Sequence, residues 1–98
     1  MTFSFEKERM TAISSDGIPM GHITFPRIRA GLVNISQVKT NPRFRGQGVE
    51  DRMMDALLTH LTQQNQKAAL TCPYAQQYVR KHDEWKHILP DKLHFTTH

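Results

Sequence analysis

Arg45-Gly46-Gln47-Gly48-Val49-Glu50-Asp51-Arg52-Met53-Met54-Asp55-Ala56-Leu57-Leu58-Thr59-His60-Leu61 joins two opposed kinds of sequence at one point. From Val49 onward the apolar side chains fall at 49, 53, 54, 57, 58 and 61, while Arg52, Asp55, Thr59 and Gln63 take the other side. That period of 3.6 predicts an amphipathic helix, ended by Asn65-Gln66. Residues 39–47 are rich in Pro, Gly and Arg, which is loop chemistry.

Toward the N-terminus, residues 3–13 alternate loosely and predict one strand. Ser14-Ser15-Asp16-Gly17 has the composition of a hairpin turn. Residues 18–25 predict a second strand, 26–31 a polar turn, and Leu32-Val33-Asn34-Ile35-Ser36-Gln37-Val38 a third strand. Together they predict a three-stranded antiparallel meander.

Toward the C-terminus, residues 67–71 predict a short strand. Pro73 suits the first position of a second helix running to about Lys81. Residues 83–98 carry Trp85, Ile88, Leu89, Leu93 and Phe95, and predict a turn of helix and a tail packed back on the sheet. The order β-β-β-α-β-α predicts an α/β fold, with a mixed, mostly antiparallel sheet of about four strands and two to three helices against it.

The length of 98 residues fits a single domain, 1–98, which buries only about 60–70% of the surface its unfolded chain exposes. No stretch approaches the roughly 18 apolar residues that span a bilayer, and the charged first residues lack the apolar run of a signal peptide. Lone Cys72 permits no intrachain disulfide. These features predict a cytoplasmic protein with no membrane partner. The formal charge is +4. Its cations are scattered apart from Arg43/Arg45 and Arg80/Lys81, which suits a phosphate-bearing small ligand better than a nucleic-acid groove. A mildly basic surface without a dedicated partner accounts for the charge equally simply.

The glycine turn has the makings of an anion site. Glycines let the backbone approach a ligand at positive φ, and the first N–H groups of the following helix have no internal partner. Arg43 and Arg45 add full charges. An ordinary strand-to-helix turn would also need glycine, and neither the dinucleotide fingerprint nor the Walker pattern is met. Cys72 stands between a strand and a helix N-terminus, where unpaired N–H groups favour a thiolate; a small buried hydrophobe is the other reading. Tyr74 and Tyr78, four apart, share a helix face, as core or as a proton donor to a leaving thiolate. His82 lies ten residues from Cys72, about 15 Å along a straight helix, too far to act as its base. The six histidines show no metal-ligand spacing.

Taken together, Arg45-Gly46-Gln47-Gly48-Val49, Cys72-Pro73-Tyr74, Tyr78, Lys81-His82 and Glu84-Trp85 make the whole chain similar to minimal members of the GNAT superfamily, small proteins that keep little beyond an acetyl-CoA site. The resemblance implies that the glycine turn holds the pyrophosphate of acetyl-CoA or coenzyme A. It implies that pantetheine lies where two strands splay apart, one near Gln37 to Lys39 and one over 67–71. The cofactor residues so implied are Val38, Lys39, Arg43, Arg45, Gly46, Gln47, Gly48 and Val49, with Cys72, Tyr78 and His82 across the cleft. Catalytic roles are implied for Cys72, as acetyl carrier, and Tyr78, as acid.

Two positions depart from that pattern. Glu50 stands where the superfamily loop has a second small residue, a like charge beside a pyrophosphate. Gln37-Val38 stand where the minimal group carries His-Thr, so its usual base is missing. The resemblance therefore implies an N-acetyltransferase acting on an unidentified amine acceptor, a peptide or small molecule. The alternative is a degenerate domain that binds CoA or a protein partner without catalysis.

Overall fold

A computed structural model describes residues 1–90. The stretch predicted as one strand over 3–13 is a hairpin: β1 (Thr2–Phe5) pairs antiparallel with β2 (Arg9–Ile13). Glu6-Lys7-Glu8 breaks the alternation with three successive charges, and the Glu6 N–H donates to the Arg9 carbonyl at 2.7 Å to close the turn. The turn at Ser14–Gly17 forms as read, with the Gly17 N–H donating to the Ser14 carbonyl at 2.9 Å. It leads into β3 (Pro19–Thr24).

From β3 the chain builds one long hairpin, broken on both limbs. Past Phe25-Pro26 the outgoing limb continues as β4 (Arg27–Arg29), inside the stretch predicted as a turn. The return limb is β5 (Leu32–Ile35) and β6 (Gln37–Thr40), interrupted at Ser36 where the sequence predicts a continuous strand. The two halves enter different sheets. β6 pairs with β3 in a four-stranded antiparallel sheet of order β1-β2-β3-β6. β5 lies between β4 and β7 (Lys67–Leu70) in a second sheet, antiparallel to β4 and parallel to β7. The fold is mixed α/β and mostly antiparallel, with a second sheet beyond the four predicted strands.

α1 (Val49–Gln63) lies across the first sheet with the predicted stripe inward. Val49, Met53, Met54, Leu57, Leu58 and Leu61 are each no more than 2% exposed, packed with Met10, Ala12, Ile23 and Ile35. At about 1.5–3 kcal/mol per fully buried large apolar side chain, this stripe is the largest single source of stability in the fold. Asn65, at φ +58, turns the chain back into β7. α2 (Pro73–Lys81) buries Ala75, Tyr78 and Val79, and a 3₁₀ helix over Asp83–Ile88 packs Ile88 and Trp85 on the core. The predicted packing of Leu93 and Phe95 falls outside the described residues. Among the described residues no helix is long and apolar enough to cross a membrane.

β6 passes very close to β3. A Cβ built on Gly21 would stand 2.6 Å from the Lys39 carbonyl oxygen and 3.0 Å from Met53 Cε. Backbone cannot yield there as a side-chain tip can. Gly21→Ala is therefore expected to lower the free energy of unfolding by about 1–3 kcal/mol, the usual cost of overpacking. Urea denaturation checks this; an unchanged midpoint would mean that β6 is free to move away.

Candidate functional site

The site begins where the return limb changes sheets. The Ile35 carbonyl accepts two N–H groups, from Thr71 and Cys72, each at 3.2 Å, and these form the last rung of the second sheet. One residue later the Ser36 N–H donates to the Thr24 carbonyl at 3.0 Å, in the first sheet, and Ser36 Oγ donates to the same oxygen at 3.3 Å. Beyond that point the strands diverge. β6 has β3 on one edge and, among the described residues, no strand on the other. The Asn41 N–H donates to the Met20 carbonyl at 2.8 Å. Antiparallel alternation from that bond directs the N–H and C=O of Val38 and Thr40 toward the open edge. Leu70 and Thr71, at the end of β7, line a separate hollow of about 480 Å³ with Gln76, Val79 and Leu89. Cys72 sits at the apex, at the N-cap of α2, as a free thiol in a residue 7% exposed.

At the far end of β6, Asn41 pins the loop. Its Nδ2 donates to the Pro19 carbonyl and its Oδ1 accepts from the Arg43 N–H, both at 3.0 Å, across a short 3₁₀ turn at Pro42–Phe44. Gly46 and Gly48 then take φ of +83 and +74. A Cβ at either meets nothing within 4 Å, so glycine is required there by the left-handed backbone and not by crowding. Among the described residues, the six consecutive backbone N–H groups of residues 46–51 have no hydrogen-bond partner. The Arg52 N–H is the first to find one, the Gly48 carbonyl at 3.2 Å. A run of free donors at a helix N-terminus is a cradle for an anion. Arg43 and Arg45 are exposed on the loop, and among the described residues neither is in an ion pair.

The first turn of α1 also carries two acids. The Asp51 carboxylate accepts a hydrogen bond from the Tyr74 hydroxyl of α2. Glu50 is half-buried, and among the described residues its side chain makes no hydrogen bond. Along α2, Tyr74, Tyr78 and His82 form an aromatic ladder at i, i+4 and i+8. Ring centroids are 6.3 Å apart for the tyrosines and 4.1 Å for the stacked Tyr78–His82 pair. His82 Nδ1 donates to the Tyr78 carbonyl at 2.7 Å, which leaves Nε2 as the free ring nitrogen. A hollow of about 90 Å³ lies between this ladder and Asp51.

Burial pushes both phenols up. At Tyr78 it is reinforced by the carboxylates of Asp55, Asp51 and Glu84 and opposed by the Trp85 indole N–H. At Tyr74 the hydrogen bond to Asp51, and then the charges of Asp51 and Glu50, raise it further. Both hydroxyls therefore keep their protons throughout the neutral range.

The structure thus sets Cys72 beside the Ile35 carbonyl at the switch between sheets, sets the glycine turn beyond the far end of β6, and gathers Tyr78 and His82 into one ladder. Six residues of α2, about 9 Å along its axis, separate Cys72 from Tyr78. The Lys39 side chain points away, onto the open sheet face beside His22. Sequence reasoning passes over Asp51 and Ser36. It also passes over Asn34, whose Oδ1 accepts from Thr71 Oγ1 at 3.1 Å beside the apex. A polar residue in mid-strand is the available signal for Asn34; nothing local distinguishes Asp51. Among the described residues no group of His, Cys, Asp and Glu could hold a metal ion, and His94 and His98 lie outside them.

Residues 9–88 match the profile of the family described as GCN5-related N-acetyl-transferase. No match was found among curated protein sequences. Among solved structures, the chain is similar to the solution structure of a GCN5-like protein from Staphylococcus aureus. That match has a TM-score of 0.70 at 19% identity and covers 95% of this chain and 94% of that one. GCN5 from Tetrahymena matches with a TM-score of 0.62 at 16% identity, over 91% and 65%. Rv2747 from Mycobacterium tuberculosis, solved in complex with CoA, matches with a TM-score of 0.62 at 19% identity, over 79% and 48%. This chain therefore spans about half the length of the last protein.

The raised phenols have a measurable consequence, because the chain holds two tyrosines and both are in the ladder. Absorbance at 295 nm is expected to titrate well above pH 10 in the folded protein and near 10 in denaturant. The unfolded chain releases these protons first. Their contribution to stability is therefore complete below about pH 10 and falls as pH rises above it. A tyrosine titrating at its ordinary value in the folded protein would contradict the ladder.

Proposed function

The chain belongs to the GCN5-related N-acetyltransferase family, and on that footing we propose that it transfers an acetyl group from acetyl-CoA to an amine. The observation that carries this reading is the run of unpartnered N–H groups at residues 46–51, beside the open edge of β6. Six donors, the positive end of the α1 dipole and two free arginines fit a pyrophosphate. The Val38 and Thr40 backbone groups fit the amides of a pantetheine arm, which pair as a strand would. When bound, acetyl-CoA supplies an activated thioester.

The protein's own part is to hold that thioester and manage protons. Tyr78, kept protonated by burial and by the surrounding carboxylates, would give a proton to a departing thiolate. His82, stacked on it, steadies the ring. Cys72 supports a two-step variant. Its sulfur would take the acetyl group with release of the CoA thiol, and an acceptor amine would then displace it, returning the cysteine. Gln37 replaces the family's histidine, and Glu50 adds a like charge near the cradle. These two residues favour the rival reading, a domain that binds without turning over.

Titration calorimetry with acetyl-CoA tests the reading. Arg45→Ala and Gly48→Glu are expected to weaken binding by about tenfold or more, a loss of roughly 1.4 kcal/mol at least. Glu50→Gly is expected to strengthen it. Equal affinity across all of these would remove the cradle from the argument. With binding established, Tyr78→Phe is expected to lower kcat about 10²-fold with little change in the KM for acetyl-CoA. Mass spectrometry after brief exposure to acetyl-CoA separates the two routes. An adduct lost in Cys72→Ala means transfer through the cysteine, and no adduct with turnover intact in Cys72→Ala means direct transfer.

A further inference from the structure

The first sheet has a second face, turned away from α1. The inward residues Met10, Ala12 and Ile23 alternate with outward Arg9, Thr11, His22 and Thr24, and the register aligns them across strands. Ser4, Thr11, His22 and Lys39 form one row across all four strands, and Arg9, Thr24 and Gln37 form the next. A hollow of about 270 Å³ opens here, lined among others by Arg9, Thr11, His22, Lys39 and Asn41.

The chemistry of this hollow is one-sided. Arg9 and Lys39 are exposed and, among the described residues, neither is in an ion pair. His22 between them is held below its usual pKa by burial, by Arg9 and then by Lys39, with the neighbouring Gln37 side chain opposing. Among the described residues no carboxylate lines the hollow. The hydroxyl of Thr11 also lines it, a neutral hydrogen-bonding group. Positive charge is thus concentrated on a polar, concave surface that packing does not require.

We propose that this face recognises a short acidic segment of a polypeptide. The pattern of charge selects that occupant. The two cations stand on β2 and β6, on either side of β3; two strand spacings of about 4.8 Å set them roughly 10 Å apart, which suits two neighbouring carboxylates better than a single phosphate. The turns at the two ends of β2 carry Glu6, Glu8 and Asp16. A long polyanion such as a nucleic acid would run into these charges, whereas a short acidic run fits between them. The face shares β6 with the acetyl-CoA cleft, so a peptide held here brings its neighbouring residues to the cleft's rim. As acceptor recognition this rests on the transferase reading; as a binding surface it does not.

The test uses the full chain without acetyl-CoA and a peptide of six glutamates, acetylated at its N-terminus and amidated at its C-terminus. Such a peptide has no amine to modify, so the outcome is independent of transferase activity. The imidazole resonances of His22 are expected to shift saturably, and the binding to weaken as salt rises. A peptide of six glutamines is expected to give no shift. Arg9→Gln with Lys39→Gln is expected to weaken hexaglutamate binding about tenfold while leaving the unfolding temperature unchanged. The single variants serve as a check should the double one be less stable. The proposal is overturned if hexaglutamate does not bind, if hexaglutamine binds equally, or if folded variants bind unchanged. Tighter binding by a twelve-nucleotide thymidine strand would overturn it in favour of nucleic acid.

Discussion

The architecture turns on the peptide unit between Ile35 and Ser36. Its carbonyl side belongs to the second sheet, where Ile35 accepts from Thr71 and Cys72, and its N–H side belongs to the first, where Ser36 donates to Thr24. The break has a local cause on the opposite limb. Pro26 stands across the hairpin and has no N–H, so the ladder cannot continue through this level, although its carbonyl still accepts from the Asn34 N–H at 2.8 Å. Ser36 Oγ adds a second bond to the Thr24 carbonyl and secures the switch. A hairpin interrupted on both limbs at one level is free to send its halves apart. The open edge of β6, and with it the cleft, results from that freedom.

The glycine turn acquires its value from the same switch. β6 runs at an angle to the second sheet and ends at Thr40. The Asn41 side chain then clamps the loop to Pro19, so the left-handed glycines deliver α1 across the sheet with its N-terminus beside the cleft. The buried stripe of α1 fixes the helix axis, so the unpaired donors of residues 49–51 belong to a packed helix while those of 46–48 belong to the turn before it. Tyr74 contributes from the other side by tying Asp51 to α2, which couples the anion end of the cleft to the aromatic ladder.

How much of this is legible in the sequence depends on the range of the cause. α1 is readable residue by residue because its six apolar positions repeat at the helical period, and packing then agrees with them. The second helix is readable from Pro73, and the hairpin turn from Ser14 to Gly17. The residues from Leu32 to Val38 read as one strand because Ile35-Ser36-Gln37 keeps the alternation of a continuous strand. Only a proline ten residues earlier, meaningful once the limbs are paired, reveals the interruption. Residues 3–13 mislead for the converse reason, since alternating apolar positions on both sides of Glu6-Lys7-Glu8 outweigh a turn that lacks glycine. The glycine turn and Cys72 can be nominated as a site from local chemistry and from family resemblance. The Asp51–Tyr74 bond and the Arg9–His22–Lys39 hollow cannot, because each joins residues whose separation in sequence carries no period.

Two diverging sheets leave an irregular space beneath them, and the composition of the core answers that shape. Met10, Met20, Met53 and Met54 are all buried, four of the five methionines in the chain. Unbranched, polarizable side chains fill uneven gaps that branched residues would leave as voids. Met53 shows the principle locally: its sulfur and methyl occupy the room that Gly21 leaves open, 3.3 and 3.0 Å from where a Cβ would stand. The methionine-rich core therefore does more than stabilise a small domain. Its flexible side chains fill the uneven space beneath two sheets that part, while β6 keeps an edge with no strand beside it among the described residues.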